Sequence, residues 1–220
     1  MKIEEIKASL NSNDSQVRMR GITALKNYET EIAVPLLKSR LEDREFLVRS
    51  FVAMGLGKKQ NADSFAALLK LMKFDRDPNV RAEAANSLSL FGVISASHLV
   101  VAFNQDDHWL VRRSILAALN ELNCPEEMFE VAVTGIQGED IPVAESSIDC
   151  LVGLRGSEKE AAALEQIINL ATSDNWRIRQ KVAQALGRFT NELAIAKLQE
   201  LRSDPDHRVV AAVLESLLEF

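Results

Sequence analysis

Val48-Arg49-Ser50-Phe51-Val52-Ala53-Met54-Gly55-Leu56 and, 32 residues on, Val80-Arg81-Ala82-Glu83-Ala84-Ala85-Asn86-Ser87-Leu88 share a register that decides the fold. The Val-Arg pair recurs at Val17-Arg18 and Val111-Arg112, and Ile178-Arg179 keeps it with a conservative change. Val143-Ala144 and Val209-Val210 keep the apolar residue and lose the arginine. The seven anchors, at 17, 48, 80, 111, 143, 178 and 209, are 31, 32, 31, 32, 35 and 31 residues apart. Positions not used to find this register obey it. Eight residues after each anchor stand Leu25, Leu56, Leu88, Leu119, Leu151, Leu186 and Leu217; one place earlier stand Ala24, Gly55, Ser87, Ala118, Cys150, Ala185 and Ser216.

Anchor, anchor+4 and anchor+8 fall on one face of a helix. A large leucine beside a small residue fills a core layer and lets the neighbouring backbone come close. Asp14, Asp43, Asp77, Asp107, Asp140, Asp174 and Asp204 or Asp206 precede the anchors, where carboxylates can cap the free N–H groups of a helix start. Pro78, Pro142 and Pro205 stand near the same starts, where a missing N–H is tolerated. Between anchors lies a second amphipathic segment, such as Phe65-Ala66-Ala67-Leu68-Leu69-Lys70-Leu71-Met72. Each unit therefore reads helix, turn, helix. No unit can bury its apolar face alone, so stability must come from neighbours stacking in one dimension.

The composition agrees. Apolar residues make up 47% and charged residues 26% of 220, with 5% aromatics, 9 Gly and 5 Pro. Strand-rich folds use more Gly, Pro and aromatics. The net charge of -6 argues against nucleic acid, whose binding draws on Lys and Arg. Charges interrupt Met1-Lys2-Ile3-Glu4-Glu5-Ile6 where a signal peptide would be apolar, and no apolar run reaches membrane-spanning length. Two cysteines, Cys124 and Cys150, make no disulfide framework, and a reduced, cytoplasmic protein is expected.

A period near 31 is shorter than standard HEAT or armadillo units, and the tetratricopeptide and ankyrin signatures are missing. Asp, then Val-Arg, then small-Leu is the short HEAT-like pattern. The expected fold is all-α: an α-solenoid of seven short HEAT-like helix pairs, a right-handed superhelix of about 14 helices, forming a single domain over 1–220.

Two segments carry a closer resemblance: Trp109-Leu110-Val111-Arg112-Arg113-Ser114-Ile115-Leu116-Ala117-Ala118-Leu119 and Asn175-Trp176-Arg177-Ile178-Arg179-Gln180-Lys181-Val182-Ala183-Gln184-Ala185-Leu186-Gly187. Their short HEAT units resemble those of the cyanobacterial phycobilin lyase subunits and the related phycobilisome degradation (non-bleaching) proteins. A Trp two residues before the anchor in a middle and a late repeat is most similar to the latter branch. The resemblance implies a scaffold that binds a phycobiliprotein or handles its bilin, which would be a transient ligand and not a resident cofactor. It leaves open a bilin lyase or isomerase subunit acting with a second HEAT-like chain. The repeats by themselves are equally compatible with an adaptor for an unrelated protein complex.

Candidate partner-binding residues follow from the outward positions of the anchor helices, at anchor+2, +3 and +6. Met19, Arg20, Phe51 and Met54 put apolar, adaptable side chains there in the first two repeats. Later repeats place polar groups there, among them Glu83, Asn86, Arg113, Glu145, Asp149, Lys181, Gln184 and Glu215. Trp109, Arg113 and Trp176 form a second candidate set, since Trp and Arg are enriched at binding hot spots; a Trp there can also wedge between repeats. The arginine column is expected to pair with loop aspartates and lock the stack, in preference to forming an anion ladder. His98, His108 and His207 are scattered and make no metal pair. Cys150 belongs to the packing column, and Cys124 is read as a surface thiol in preference to a nucleophile. No catalytic, metal-binding or cofactor-binding set emerges. The fifth repeat is irregular, with Ala144 for arginine, Gly135, Gly138, Gly153 and Gly156, and the 35-residue step that predicts a bend or a loop insertion.

Overall fold

The computed structural model describes residues 1–218, and all regular structure among them is helical. Fourteen α-helices form seven pairs. They are α1 (Ile3–Leu10) with α2 (Ser15–Ala24), α3 (Thr30–Lys38) with α4 (Phe46–Lys58), α5 (Ala62–Phe74) with α6 (Pro78–Ser89), and α7 (Ala96–Gln105) with α8 (Trp109–Asn120). Then follow α9 (Pro125–Ile136) with α10 (Ile141–Gly153), α11 (Glu160–Asn169) with α12 (Trp176–Leu186), and α13 (Glu192–Glu200) with α14 (His207–Leu218). The second helix of every pair carries the anchor, as the register predicts.

The chain forms two compact units, Met1–Leu122 and Asn123–Phe220. In the first, α2, α4, α6 and α8 pack in succession, each backed by the first helix of its own pair. In the second, α10, α12 and α14 do the same, with α9 and α11 behind them.

The leucine column is the core: Leu25, Leu56, Leu88, Leu119, Leu151 and Leu186 are all essentially inaccessible, and only Leu217 is half-buried. The small residues beside it permit close helix approach. A side chain on Gly57 would come within 2.8 Å of the Ser87 Cβ, and one on Gly187 within 2.6 Å of the Ser216 Cβ. These two glycines stand at anchor+9 of repeats two and six and face the serine at anchor+7 of the following repeat. One register contact is thus used twice.

Helix starts differ from the expectation in part. Asp14 and Asp77 cap as predicted, accepting from the N–H of Gln16 and Asn79, and Asp206 accepts from that of Arg208. The caps of α8 and α12 are instead His108, whose Nδ1 accepts from Leu110, and Asn175, whose Oδ1 accepts from Arg177. Asp107 and Asp174 stand one place too early. Asp43 lies two residues before its cap position, Glu45, and is used for something else. The long 35-residue step is accommodated by a turn after α10 in which Gly156 takes φ +78°, a left-handed conformation that favours glycine.

Candidate functional site

Each of four anchor arginines makes the same clasp. Arg18 donates through Nε and Nη2 to the two carboxylate oxygens of Asp43, both at 2.8 Å, and through Nη1 to the carbonyls of Ser12 and Asn13. Arg49 does so to Asp75 at 2.7 Å twice and to the Asp43 carbonyl, and Arg81 to Asp106 at 2.6 and 3.1 Å and to the Asp75 carbonyl. Arg179 repeats the geometry on Asp204 at 2.7 and 3.0 Å and on the Ser173 carbonyl. One guanidinium therefore ties its own loop to the loop of the next repeat, bidentate and charge-assisted. The side chains are at most 16% exposed.

Electrostatics follow the geometry. Burial works to raise the Asp43 carboxyl, but hydrogen bonds from Arg18 and from the Glu45 N–H hold it below the ordinary range. The hydrogen bond from Arg179 does the same for Asp204, against burial. Arg49, Arg81 and Arg179 are pushed up by their hydrogen bonds to Asp75, Asp106 and Asp204. Four members of the arginine column are structural, as the sequence predicts, and the aspartate they use is the one two places before the cap; Arg112 departs, its guanidinium lying over the Phe103 ring at 4.3 Å with no acceptor on its Nε among the described residues.

The outward face is found at anchor+6, where Thr23, Met54, Asn86, Ala117, Asp149, Gln184 and Glu215 are all exposed. Met54 is the one large apolar residue among them. Phe51, at anchor+3, is half-buried beside it, and Arg20 is exposed. Met19 departs from the expectation: it is only 8% exposed, and Ala82 at the same register position is buried as well, whereas Arg113 there is exposed, so the packing around each repeat decides this position. Phe51 and Met54 border a cavity of about 130 Å³, with Ile22, Leu25 and Leu37 in its wall. Lys26 and Lys58 are exposed at its rim. Lys59 is held there by donating to the Lys26 carbonyl at 2.9 Å. In the second unit the corresponding face is polar, with Lys181 paired to Asp149 at 2.6 Å.

The two tryptophans differ. Trp176 is half-buried, with the Arg208 guanidinium 3.2 Å from its ring centroid and that of Arg177 at 5.5 Å. Trp109 is 42% exposed, with His108 stacked at 5.9 Å and Arg113 at the same distance. The sequence pattern foretold the equivalence of the two positions but not the guanidinium lid on one; Asp206-His207-Arg208, one repeat further along the chain, was the available signal.

Cys124 is buried, which corrects the surface-thiol reading. Burial, with Glu127 adding repulsion, pushes its thiol up to about 11, and burial pushes Cys150 to about 12. Neither ionises near neutrality, so neither has the character of a nucleophile. Among the described residues, no group of three His, Cys, Asp or Glu side chains could hold a metal, and no helix is long and apolar enough to cross a membrane.

The family model for HEAT repeats matches residues 34–120 and 130–218. The chain belongs to the HEAT-repeat family. Its relatives by sequence include the deoxyhypusine hydroxylase of Drosophila melanogaster, 24% identical over 92% of this chain and 75% of that protein. Among solved structures, this HEAT-repeat chain is similar to one in the complex of CpcE and CpcF of phycocyanin lyase from Nostoc sp. PCC7120. The TM-score is 0.55 and the identity 19%, covering all of this chain and 88% of that one. It also superposes on a chain of a structure of Kap95p with RanGDP at a TM-score of 0.70 and 14% identity, over 99% of this chain but 35% of that one. These likenesses show the fold: the protein is a HEAT-repeat helical scaffold.

Proposed function

We propose that this HEAT-repeat scaffold recognises a phycobiliprotein, or the bilin it carries, through the outward face of its first repeats. The observation that carries the reading is the cavity at Phe51 and Met54 with Lys26 and Lys58 at its rim. An apolar hollow bordered by cations fits a partner that offers an apolar group flanked by carboxylates, whether acidic side chains or the propionates of a tetrapyrrole. Burying the patch would contribute roughly 25 cal/mol per Å² of apolar area before ordering costs. The protein is acidic overall, so this local complementarity supplies the specificity. The likeness to a chain of a two-chain phycocyanin lyase complex supports both the pigment connection and a second HEAT-like chain as a further partner.

The test is binding of phycocyanin and allophycocyanin to the wild type and to a Phe51→Asp, Met54→Asp double variant, with helical content checked by circular dichroism. Wild-type binding that drops at least about tenfold in the folded double variant is the expected result, equivalent to losing one well-buried anchor. No wild-type binding removes the phycobiliprotein assignment. Undiminished binding by the variant moves the site off this face. Visible absorbance recorded in the same experiment separates a scaffold, which leaves the spectrum unchanged, from a lyase or isomerase subunit, which transfers or alters the chromophore.

A further inference from the structure

The first helices of neighbouring repeats meet in seams, and two seams of the first unit are built differently. Between α3 and α5 two ion pairs cross the seam, Lys38 to Asp63 at 3.0 Å and Lys70 to Glu42 at 3.1 Å. Counting back from the clasp aspartates Asp43, Asp75 and Asp106 gives the matching positions one seam on. Glu42 and Lys70 become Phe74 and Val101, and Lys38 and Asp63 become Lys70 and Ile94. Phe74 is 69%, Val101 51% and Ile94 63% exposed. Large apolar groups thus stand in water at the places where charge closes the preceding seam.

The seam between α5 and α7 is shut near the N-terminal ends of the two helices, where the rings of Phe65 and His98 meet edge to face at 5.6 Å. Towards the C-terminal ends it opens into a cavity of about 410 Å³, walled by Leu69, Phe74, Val101 and Ala102. Two exposed charges flank the cavity, Lys73 on the α5 side and Asp107 in the loop after α7. The Lys73 Nζ lies 5.2 Å from the Phe74 ring centroid, and neither charge takes part in an ion pair among the described residues. An apolar centre with a cation on one flank and an anion on the other is complementary to itself. A two-fold axis along the seam sets Lys73 opposite the partner's Asp107, and Asp107 opposite the partner's Lys73. Phe74 and Val101 are then buried at the centre of the contact.

We propose that the α5–α7 seam is a self-association surface whose occupant is a second copy of this chain, held by the apolar centre and by two symmetry-related Lys73–Asp107 pairs. Helices of 13 and 10 residues, roughly 20 and 15 Å long and about 9 Å apart, offer on the order of 400 Å² per copy. That is the small end of specific contacts, so the association is weak and reversible. It is independent of the phycobiliprotein reading, because it uses the layer of first helices and not the outward face of the second ones.

The test is sedimentation velocity of the full chain, with a monomer–dimer equilibrium expected at a dissociation constant on the order of 50 μM. Concentrations run from tenfold below to tenfold above that value. Phe74→Glu and Val101→Glu should each weaken the dimer at least about tenfold, with helical content unchanged by circular dichroism. Lys73→Glu alone and Asp107→Lys alone should also weaken it, since each sets like charges face to face twice. The Lys73→Glu, Asp107→Lys double variant should recover the wild-type constant to within about threefold, because the exchanged charges still meet. A chain that stays monomeric throughout overturns the proposal. If that monomer also binds anilinonaphthalene sulfonate and Phe74→Glu abolishes the fluorescence, the cavity is a site for a small apolar ligand instead. A dimer that survives Phe74→Glu but is lost in the Phe51→Asp, Met54→Asp variant overturns it as well, by moving the contact to the other face. So does a double charge variant no tighter than the single ones, which would show that Lys73 and Asp107 do not face each other across a two-fold axis.

Discussion

Arg49 and Arg112 occupy the same position of repeats two and four and live in opposite surroundings. Arg49 is almost fully buried, holds Asp75 with two hydrogen bonds of 2.7 Å and closes its own loop through the Asp43 carbonyl. Arg112 lies on Phe103, and its Nε has no hydrogen-bond partner among the described residues. Nothing on their own helices explains the contrast, because both follow an apolar anchor and precede a core leucine by seven residues. Their sequences part further on: five places before the following anchor stands Asp75 in the one case and Gly138 in the other. In a repeat protein a residue's energy is decided by the next repeat as much as by its own.

The sharpest way to break the comparison is to truncate both arginines. Arg49→Ala leaves the Asp75 carboxylate buried without its partner and is expected to cost about 3–5 kcal/mol. Arg112→Ala forfeits a cation–π contact and should cost about 1 kcal/mol. Urea denaturation of the two variants checks this; equal losses would mean that the clasp is not what separates them.

A second test asks whether the core is graded as the clasps are. Leu119→Ala is expected to cost on the order of 2–5 kcal/mol, the usual range for emptying a fully buried leucine site. Leu217→Ala, at a half-buried position of the same column, should cost less than half as much. Similar midpoints for the two would show that the column is not a ladder of equivalent core layers.

The smallest expected effect concerns acid. Asp43 and Asp204 have folded carboxyls held below their unfolded value, near 3.9. Their contribution is therefore complete above that value and is lost as pH falls through the lower folded one. Lowering the pH from neutral to about 3 should reduce wild-type stability more than it reduces that of an Asp43→Asn, Asp204→Asn variant, which is weaker at neutral pH but flatter in acid. Parallel pH profiles would exclude the clasps as the acid-sensitive elements.

The fold was legible because its signal is repeated seven times. A leucine at anchor+8 and a small residue before it define core and close approach together, and the burial of Leu25 through Leu186 follows from them. The arginine–aspartate pairing was legible for the same reason, since the loop aspartates recur with the arginines. Details set by a single neighbour were not. Met19 reads as outward on a bare helical wheel, yet it is buried, while Arg113 at the same register position is exposed. Cys124 stands at a helix start with two glutamates after it, a pattern that looks exposed, while burial of its thiol depends on the packing around that start. His108 takes over the cap from Asp107 because the helix begins one residue later than the aspartate spacing indicates. Phe51 and Met54 were found by their wrongness, as apolar residues where other repeats are polar; the cavity between them required the neighbouring Ile22 and Leu37 to be placed.

The direction of the clasp has a consequence for how such a chain can change length. Every clasp runs from the arginine of one repeat to the aspartate standing two places before the next helix cap. Cutting out residues 44–75 would leave Asp43 two places ahead of Asp77, where Asp75 now stands, still facing Arg18. The join would be chemically seamless, and so would a duplication of the same stretch. Around Ala144 and Gly138 no such matching ends exist. The molecule is thus modular in its first three repeats and fixed in its fifth, so that gain or loss of whole units is steered toward one part of the chain by the three pairs Arg18–Asp43, Arg49–Asp75 and Arg81–Asp106.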